Sequence, residues 1–246
     1  MGNQADLIIV SYNSKHELQN CIRSIREYTT YPYRLIVVDN NSTDGSVELL
    51  RSYSNIKLIA LKTNRGYGAG ANQGIKAGNG EFIFILNSDL IVTPGWLEPL
   101  VKCLKSNPKA AVVGPKMLTP DGRIAGAGVV GTEAHPNLRG FMEPNQQDLY
   151  NTTESCVSVS GACYGIKRSL LPVNGFFDES FFMFFEETDY SYRVRAHGYE
   201  VIYCPKSCIY HDMKWEQRNH TALGRLFEHS RIIFEHKWRH LFETIR

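Results

Sequence analysis

Short apolar runs alternate with helical patterns through the first 116 residues of this 246-residue chain. The first run, 7–10, is typical of a buried strand. The residues after it place apolar side chains at the i, i+3, i+4 and i+7 spacing of a helix, namely Leu18, Cys21, Ile22 and Ile25. A capping box, Ser14-Lys15-His16-Glu17, is predicted to begin that helix. Such alternation predicts an α/β fold with helices covering both faces of a mostly parallel sheet.

The same patterns assign the other elements. In the first half we predict strands over 34–38, 56–61, 81–86 and 110–113, and helices over 47–50, 69–77 and 96–105. In the second half we predict a hairpin at 119–123, a polar segment without periodicity at 132–155, strands over 157–164 and 200–203, and helices over 187–196 and 221–242, with a short apolar piece at 208–210. Because no linker divides the elements, we expect a single domain over residues 1–246.

Composition limits the partners and the compartment. A formal net charge of +2 provides no strongly basic surface, so we expect no nucleic-acid partner. The six cysteines are scattered and include no CxxC pair, which favours reduced thiols in the cytoplasm. No apolar run approaches the ~18 residues of a membrane span, and the polar residues 1–6 do not match a signal peptide. We therefore expect a soluble protein.

A polar triplet, Asn87-Ser88-Asp89, interrupts the apolar run 82–92. One interpretation is a turn in which Asp89 is the hydrogen-bonding residue, and the other is a charged binding site at the end of a strand. A second carboxylate, Asp39, ends another apolar strand. Ligands of open α/β sheets bind at the carboxyl ends of the strands, so we expect both aspartates at one edge of the sheet. A carboxylate there can accept the N3–H of a uracil or thymine ring.

Glycine is concentrated between Asn64 and Gly74, with Arg65 at the entrance and a predicted helix following. Glycine lets backbone N–H groups approach an anion, and a helix N-terminus adds partial positive charge, so a diphosphate is one candidate ligand. A flexible turn is the other interpretation, because the stretch is neither a Walker loop nor a well-placed GxGxxG motif.

Taken together, these motifs resemble those of the family 2 glycosyltransferases, which are inverting enzymes with the GT-A fold. The resemblance rests on Ser11-Tyr12-Asn13, the segment 38–46, the segment 64–74 and Asn87-Ser88-Asp89, and it extends from about Ile8 to His211. Within the family, the chain is most similar to the bacterial rhamnosyltransferase-like group. This resemblance implies a nucleoside-diphosphate-sugar donor, bound by residues 1–116, and an acceptor bound by residues 117–246.

The resemblance also implies roles for individual residues. Asp39 would contact the base, Arg65 the ribose or diphosphate, and Asn87-Ser88-Asp89 would replace the Asp-x-Asp motif of the family. Asp89 would bind Mg²⁺ or Mn²⁺, with one formal charge missing at Asn87. His211 is either a second metal ligand or a structural histidine. The implied donor-binding residues are Ser11, Tyr12, Asn13, Asp39, Asn41, Asn64, Arg65, Gly66, Asn72, Asn87, Ser88, Asp89 and Gly161.

An acidic run follows the aromatic stretch 181–185. Apolar surroundings and neighbouring like charges raise carboxyl pKa values, which suits a general base. The resemblance places the base at Glu187, with Asp189 and Glu186 as alternatives. The structural interpretation is an acidic helix N-terminus with an Asp189–Arg193 pair. Gly161 belongs either to a segment under the sugar and acceptor or to a bulged core strand.

The implied function is metal-dependent, inverting transfer of a sugar, with rhamnose as a candidate, from a dTDP- or UDP-linked donor to a hydroxyl acceptor in cell-surface polysaccharide assembly. The second hypothesis is a sugar-nucleotide-binding protein or partner subunit with weakened catalysis, because of Asn87 and Glu187. A third, nucleotidyl transfer, lacks a basic activation loop near the N-terminus. The tail 215–246 is predicted either to pack on the domain or to contact the inner face of the membrane, which would suit a lipid-linked acceptor. The oligomeric state stays open.

Overall fold

A ten-stranded mixed sheet forms the centre of the structure, a computed structural model that describes residues 4–132, 135–213 and 220–243. The strands, two of which form a separate hairpin, are β1 (Ala5–Ser11), β2 (Tyr33–Asp39), β3 (Ile56–Ala60), β4 (Phe82–Asn87), β5 (Leu90–Val92), β6 (Ala110–Leu118), β7 (Ile124–Gly126), β8 (Val129–Thr132), β9 (His135–Leu138), β10 (Glu154–Ser155), β11 (Cys163–Lys167) and β12 (Glu200–His211). The helices are α1 (Lys15–Tyr28), α2 (Ser46–Arg51), α3 (Tyr67–Ala77), α4 (Leu97–Ser106), α5 (Gln147–Tyr150), α6 (Leu171–Asn174), α7 (Glu186–Ala196) and α8 (His220–Glu243).

Four neighbouring strands, in the order β3-β2-β1-β4, are parallel, as the alternating pattern of the first half predicts. Antiparallel β11 then joins β4 to β6, and β12 lies parallel to β6. The sheet therefore becomes mixed where strands of the second half enter it. Strands from both halves share one hydrogen-bonded sheet.

Helices cover both faces of the sheet, which explains why its strands are apolar without alternation. On β1, Leu7 and Ile9 face the core cluster that contains the apolar side chains of α1 and α4. The alternate residues, Ile8 and Val10, face the cluster that contains those of α3 and α7. Strand β1 thus has two apolar faces, and its polar residues, Asp6 and Ser11, lie near its ends.

The capping box predicted at Ser14 is wrong. Helix α1 does begin after Ser14, but the Ser14 hydroxyl makes no capping bond. It bonds instead to the hydroxyls of Ser11, at 3.0 Å, and Ser88, at 2.8 Å. The Asp44 carboxylate accepts the backbone N–H of Lys15 at 2.8 Å, so a distant residue satisfies the start of the helix.

Two strand predictions in the second half need correction. The predicted strand over 157–164 is displaced, because the observed strand β11 covers Cys163–Lys167. Val157 and Val159 are buried without lying in a strand, so their apolar pattern indicated burial only. The predicted strand over 200–203 and the apolar piece at 208–210 belong to one longer strand, β12, with an irregularity between Cys204 and Cys208. The predicted hairpin at 119–123 is present as the β6–β7 turn.

The polar segment at 132–155 contains β9, α5 and β10, and the long helix predicted over 221–242 is α8. Residues 133–134 of that segment and residues 215–219 and 244–246 of the predicted tail lie outside the described residues. Among the helices that the structure describes, none combines the length and the apolarity needed to cross a membrane.

Candidate active site

The polar strand ends meet at one edge of the sheet. Ser11 at the end of β1 is the register partner of Asp39 on β2, and Val10 is the partner of Asn87 on β4. A cavity of about 320 Å³ opens at this edge. Its lining residues are Val10, Ser11, Tyr12, Ser14, Glu17, Asn40, Asn64, Gly66, Tyr67, Asn87, Ser88, Asp89, Phe182, Met183, Ala222, Leu223 and Leu226. Seven residues of the predicted donor site therefore line one cavity: Ser11, Tyr12, Asn64, Gly66, Asn87, Ser88 and Asp89.

Asp89 and His211 lie next to each other although 121 residues separate them in the sequence. Strand β5, which follows Asp89, pairs with the end of β12, so that Leu90 is the register partner of His211. His211 Nε2 lies 3.3 Å from Asp89 Oδ1 and 3.5 Å from Asn87 Nδ2. Burial opposes ionisation of Asp89, but the hydrogen bond and charge of His211 outweigh it, and the pKa of Asp89 is lowered.

The side chains at this point suit a hard divalent cation whose coordination shell a bound ligand would complete. It comprises one carboxylate, one imidazole and the amide of Asn87, and no group of three His, Cys, Asp or Glu side chains suited to a metal occurs among the residues that the structure describes. Mg²⁺ and Mn²⁺ are commonly held by one or two carboxylates together with substrate phosphates.

Asp39 has one acceptor to offer a ligand. Its side chain is fully buried, and Oδ2 accepts the backbone N–H of Ser42 at 2.8 Å. The other oxygen, Oδ1, is buried without a hydrogen-bond partner. Leaving such an acceptor unpaired costs about 1–3 kcal/mol, which a ligand N–H could recover. Asn13 and Asn41, both with positive φ, lie in the loops beside this carboxylate, and Asn13 Oδ1 accepts the N–H of Thr43.

Hydrogen bonds and close contacts with neighbouring residues fix the conformation of the glycine-rich segment. A Cβ at Gly66 would lie 2.3 Å from the carbonyl oxygen of Phe182, and Tyr67 N–H donates to that oxygen at 2.7 Å. The N–H groups of Arg65 and Gly66 also have protein acceptors, Asn40 Oδ1 and Asn64 Oδ1. All three amides thus have acceptors within the protein, and that of Tyr67 holds the segment against Phe182, in contrast to the expected cradle for a diphosphate.

Two predicted donor-binding residues in this segment contact the loop after α6. The Arg65 guanidinium pairs with Glu179 at 2.8 Å, in a contact that is largely exposed to solvent. Asn72 is buried, and its amide bonds to the backbone of Phe177 in both directions and to Glu179 Oε1. The structure therefore places Asn72 outside the cavity, while Arg65 lies at the surface, paired with an exposed carboxylate.

Substituting Gly66 tests the close approach. We expect Gly66→Ala to lower the thermal midpoint well below that of Gly122→Ala in the β6–β7 turn. Both glycines have φ near +85°, which strains an alanine at either position, and Gly66 combines it with a ψ of 174°, a region that essentially only glycine adopts. Gly122 has nothing within 4 Å of its Cβ position, whereas Gly66 meets backbone at 2.3 Å. Equal losses in a thermal denaturation experiment would contradict this account.

The acidic run begins α7 beside the cavity. Glu186 is buried with Oε2 unpartnered, and Glu187 is half-buried. Burial, followed by the charge of Glu187, raises the pKa of Glu186 well above its usual value, and burial likewise raises the pKa of Glu187. Gly161 lies beside Glu187, because a Cβ there would meet Glu187 Cγ at 3.2 Å. The structure thus brings Glu186, Glu187 and Gly161 together.

Tyr67 lies near both these carboxylates and Asp89, and the sequence analysis did not identify it as a site residue. It lines the cavity, and its hydroxyl donates to the Gly161 carbonyl at 2.9 Å. Burial, and then the charges of Glu186, Glu187 and, more weakly, Asp89, raise its pKa. Its place between two glycines in the segment 64–74 was the only signal in the sequence. Ser14, whose hydroxyl bonds to those of Ser11 and Ser88, was missed for a different reason: the sequence pattern assigned it a role as a helix cap.

The raised pKa of Glu186 predicts a stability effect. A carboxyl with a higher pKa in the folded than in the unfolded state favours folding fully only below its unfolded pKa, and this contribution is lost as pH rises through the folded pKa. We expect Glu186→Gln to raise the thermal midpoint near neutral pH by about 2–4 °C, or about 1 kcal/mol, and the gain to shrink toward about pH 4.

Glu228→Gln is the matched control for this experiment. Glu228 is exposed and pairs with Arg231, whose hydrogen bond lowers its pKa, so the sign of the linkage is opposite. A thermal scan at several pH values should show no gain for this variant near neutral pH. Lower stability of Glu186→Gln at every pH would show that the carboxylate stabilises the fold.

Asp189 serves the packing of the C-terminal helix. Its carboxylate is fully buried and bonds to Arg193 Nε at 3.0 Å, Lys237 Nζ at 2.8 Å and Trp238 Nε1 at 3.0 Å. The Asp189–Arg193 pair predicted as a structural alternative is therefore present. These donors take up the acceptor oxygens of Asp189. The acids of this run that lie beside Tyr67 are therefore Glu186 and Glu187.

Helix α8 forms one wall of the cavity, which the sequence did not indicate. Its first turns contribute Ala222, Leu223 and Leu226. Further along, Phe234 and Trp238 are buried against α7, and Ser230 donates to the carbonyl of Met183. The alternative of a tail helix packed on the domain is confirmed for the described residues of the tail.

Comparison with known sequences gives a consistent assignment. The sequence model of the family described as "Glycosyl transferase family 2" matches residues 6–172. The N-acetylglucosaminyl-diphospho-decaprenol L-rhamnosyltransferase of Mycobacterium tuberculosis is 26% identical over 235 residues, covering 86% of this chain and 76% of that protein. The O-antigen biosynthesis protein RfbC of Myxococcus xanthus is 30% identical over 216 residues, which cover 83% of this chain and 17% of RfbC.

Solved structures share the fold. GalNAc-T7, crystallised with UDP, GalNAc and Mn²⁺, superposes with a TM-score of 0.71 at 18% identity, covering 85% of this chain and 43% of that one. The mannosyltransferase PcManGT from Pyrobaculum calidifontis, in complex with GDP-Man and Mn²⁺, gives 0.64 at 19% identity, covering 85% and 56%. This chain spans about half the length of these structures. The likeness confirms the GT-A architecture expected from the sequence.

Proposed function

The chain belongs to glycosyl transferase family 2 and is a glycosyltransferase, and on that basis we propose that it transfers a sugar with inversion from a nucleoside-diphosphate donor to a hydroxyl acceptor. The proposed donor is dTDP- or UDP-linked, with rhamnose as the candidate sugar, and the proposed acceptor belongs to cell-surface glycan assembly. We propose that residues 1–116 bind the donor and that residues 117–246 contribute the acceptor side. The rhamnosyltransferase relative supports the choice of sugar.

One observation carries the proposal: Asp89, which is paired with His211, lies on the wall of a cavity that Ser11, Tyr12 and Asn64 also line. In the proposed complex, Asp89 and His211 hold Mn²⁺ or Mg²⁺, which supplies positive charge to the leaving diphosphate. Asn87 provides an amide in place of a second carboxylate, so the protein contributes one less negative charge. The unpartnered Oδ1 of Asp39 supports recognition of a base with an N3–H.

The carboxylate pair at the start of α7 is the proposed base. The acceptor hydroxyl attacks the anomeric carbon while Glu187 takes its proton, and the bond from that carbon to the diphosphate oxygen breaks. A raised pKa suits this role, because a more basic carboxylate accepts the proton more readily. Glu186, with an unpartnered oxygen next to Glu187, is the second candidate.

We also propose a lipid-linked acceptor presented at the cytoplasmic face of a membrane. The name of the mycobacterial relative includes a decaprenol-linked substrate. On α8, the helical spacing aligns the exposed residues Arg225, His229, Ile232, His236 and Arg239 along one stripe. The cationic Arg225 and Arg239, on either side of the apolar Ile232, favour contact with anionic lipid. The apolar wall of α8 then faces the cavity on the other side of the helix.

Membrane contact predicts a selective effect of one exposed residue. We expect Ile232→Ser to weaken sedimentation with anionic phospholipid vesicles by about five- to thirtyfold, because a buried isoleucine contributes about 1–2 kcal/mol. Val173→Ser on α6 is the control, because Val173 is 52% exposed against 56% for Ile232. Equal binding of both variants, or binding that high salt does not reduce, would argue against a contact through α8.

A thermal-shift screen followed by a transfer assay tests the proposed function. We expect UDP- or dTDP-sugars to raise the thermal midpoint in the presence of Mn²⁺ or Mg²⁺, and GDP-sugars to raise it less. At a ligand concentration about 100 times Kd the stabilisation is about 2.7 kcal/mol. Release of UDP or dTDP with a hydroxyl acceptor would then establish turnover. A screen without a nucleotide effect would overturn the donor assignment.

The missing carboxylate at Asn87 supports a second candidate function, a sugar-nucleotide-binding subunit with weakened catalysis. Calorimetry with the same nucleotides, run beside the transfer assay, separates the two. Binding without transfer or donor hydrolysis across a panel of acceptors would favour the binding protein. Pyrophosphate release would instead indicate nucleotidyl transfer.

A further inference from the structure

Two cysteines from distant parts of the chain lie in contact. Cys103 on α4 and Cys204 on β12 have their Sγ atoms 3.3 Å apart, and both are free thiols. A disulfide has an S–S length of about 2.05 Å, so a shift of about 1 Å would bring the sulfurs to bonding distance. Cys204 is buried, whereas Cys103 is only partly buried and can be reached from solvent.

The surroundings make Cys103 the reactive member. Its hydrogen bond with Cys204, together with the charges of Lys206 and Lys102, lowers the pKa of Cys103 to about 7. A thiol with a pKa near neutral pH is partly ionised there, and the thiolate is the nucleophile in disulfide exchange. The hydrogen bond and burial raise the pKa of Cys204, which fits a resolving thiol that reacts second.

The other four cysteines differ in this respect. Burial raises the pKa of Cys21, Cys163 and Cys208, and it raises the pKa of Cys156 to about 11. The thiol–thiol hydrogen bond joins Cys103 to Cys204 and involves none of these four cysteines. Oxidation should therefore be selective for one pair.

We propose that Cys103 and Cys204 form a reversible modification site that a low-molecular-weight disulfide oxidises. The Cys103 thiolate attacks one sulfur of the reagent, which forms a mixed disulfide and releases one thiolate. Cys204 then loses its proton to solvent and attacks Cys103 Sγ, forming the intramolecular bond and releasing the second thiolate. Two protein thiols are oxidised and the reagent is reduced to two thiols, so electrons and atoms balance.

The position of the pair gives the modification a structural consequence. Helix α4 follows β5 and Asp89 in the chain, and β12 continues from Cys204 to His211. Strand β12 changes its register with β6 between Cys204 and Cys208. A covalent bond would thus tie together the two segments that lead to the Asp89–His211 pair. It closes a loop of about one hundred residues, which restricts the unfolded chain and should stabilise the fold.

Oxidation with glutathione disulfide tests the site on the whole chain. We expect the protein to lose two of its six thiols, to retain no glutathione, and to yield a peptide pair joined through Cys103 and Cys204. The thermal midpoint should rise by on the order of 5 °C, and dithiothreitol should reverse both changes. Six thiols after treatment, or a different linked pair, would overturn the proposal.

Three variants identify the order of attack. Cys204→Ser should accumulate glutathione on Cys103, because the resolving thiol is gone, while Cys103→Ser should take up none at Cys204. Cys156→Ser is the control and should behave as the unsubstituted protein. Lack of a glutathione adduct on Cys204→Ser would contradict the assigned order. Should a variant not fold, peptide mapping of the unsubstituted protein still decides whether the pair forms.

Discussion

Asp89→Asn is expected to lower the transfer rate about a thousandfold while leaving the thermal midpoint within a few degrees. The substitution keeps the shape of the side chain but removes the carboxylate charge beside His211. Because Asn87 already lacks a charge, the variant would have no carboxylate in the triplet to hold a divalent cation. Loss of one preorganised electrostatic contact of this kind costs about 10²–10³ in rate, and loss of the cation adds to that.

The measurement pairs initial transfer rates with Mn²⁺ titration by calorimetry in the presence of UDP or dTDP. Asp121→Asn is the control, because Asp121 is an exposed carboxylate in the β6–β7 turn and lines no part of the cavity. The converse variant, Asn87→Asp, should tighten Mn²⁺ binding by restoring the second charge. Transfer by Asp89→Asn at the unsubstituted rate would rule out its assigned role.

Glu187→Gln is expected to lower the transfer rate about 10²–10⁴-fold, the usual contribution of a general base. Its effect should fall on kcat more than on KM for the donor, since Glu187 does not line the donor cavity. The raised pKa adds a second signature in the pH–rate profile of the unsubstituted enzyme. The rate should fall as pH drops through the pKa of the Glu186–Glu187 pair, and this acidic limb should lie at a higher pH than an ordinary carboxyl would give.

Glu186→Gln decides which carboxylate is the base. With Glu187 as the base, this variant should keep a larger share of the activity, because Glu187 retains its carboxylate. The residual rate should then exceed that of Glu187→Gln by at least tenfold. The reverse order of activities would assign the proton transfer to Glu186.

The sequence predicted the sheet edge well because that edge is encoded locally. Strands that end in Asp39 and Asn87 show their apolar faces and their polar ends within a few residues, and parallel pairing then places those ends together. The Asp89–His211 pair depends on β12, whose two apolar pieces looked separate in the sequence. Only the family resemblance joined residues so far apart.

Features that depend on contacts between distant segments were not predictable in this way. Ser14 matched a capping pattern, yet its hydroxyl partner Ser88 lies 74 residues away. Asp189 matched the spacing of a catalytic run, but Lys237 and Trp238 of α8 bind its carboxylate. An amphipathic pattern on α8 indicated that one face is buried, without indicating that its first turns line a cavity.

The position of β11 restricts how the protein can move. It is hydrogen-bonded to β4 on one side and to β6 on the other, so the strand that ends in Asn87 and the segment that carries Gly161 belong to one continuous backbone network. Opening the molecule between its halves would break those bonds together. Substrates therefore have to reach the cavity without separation of the two halves of the sheet.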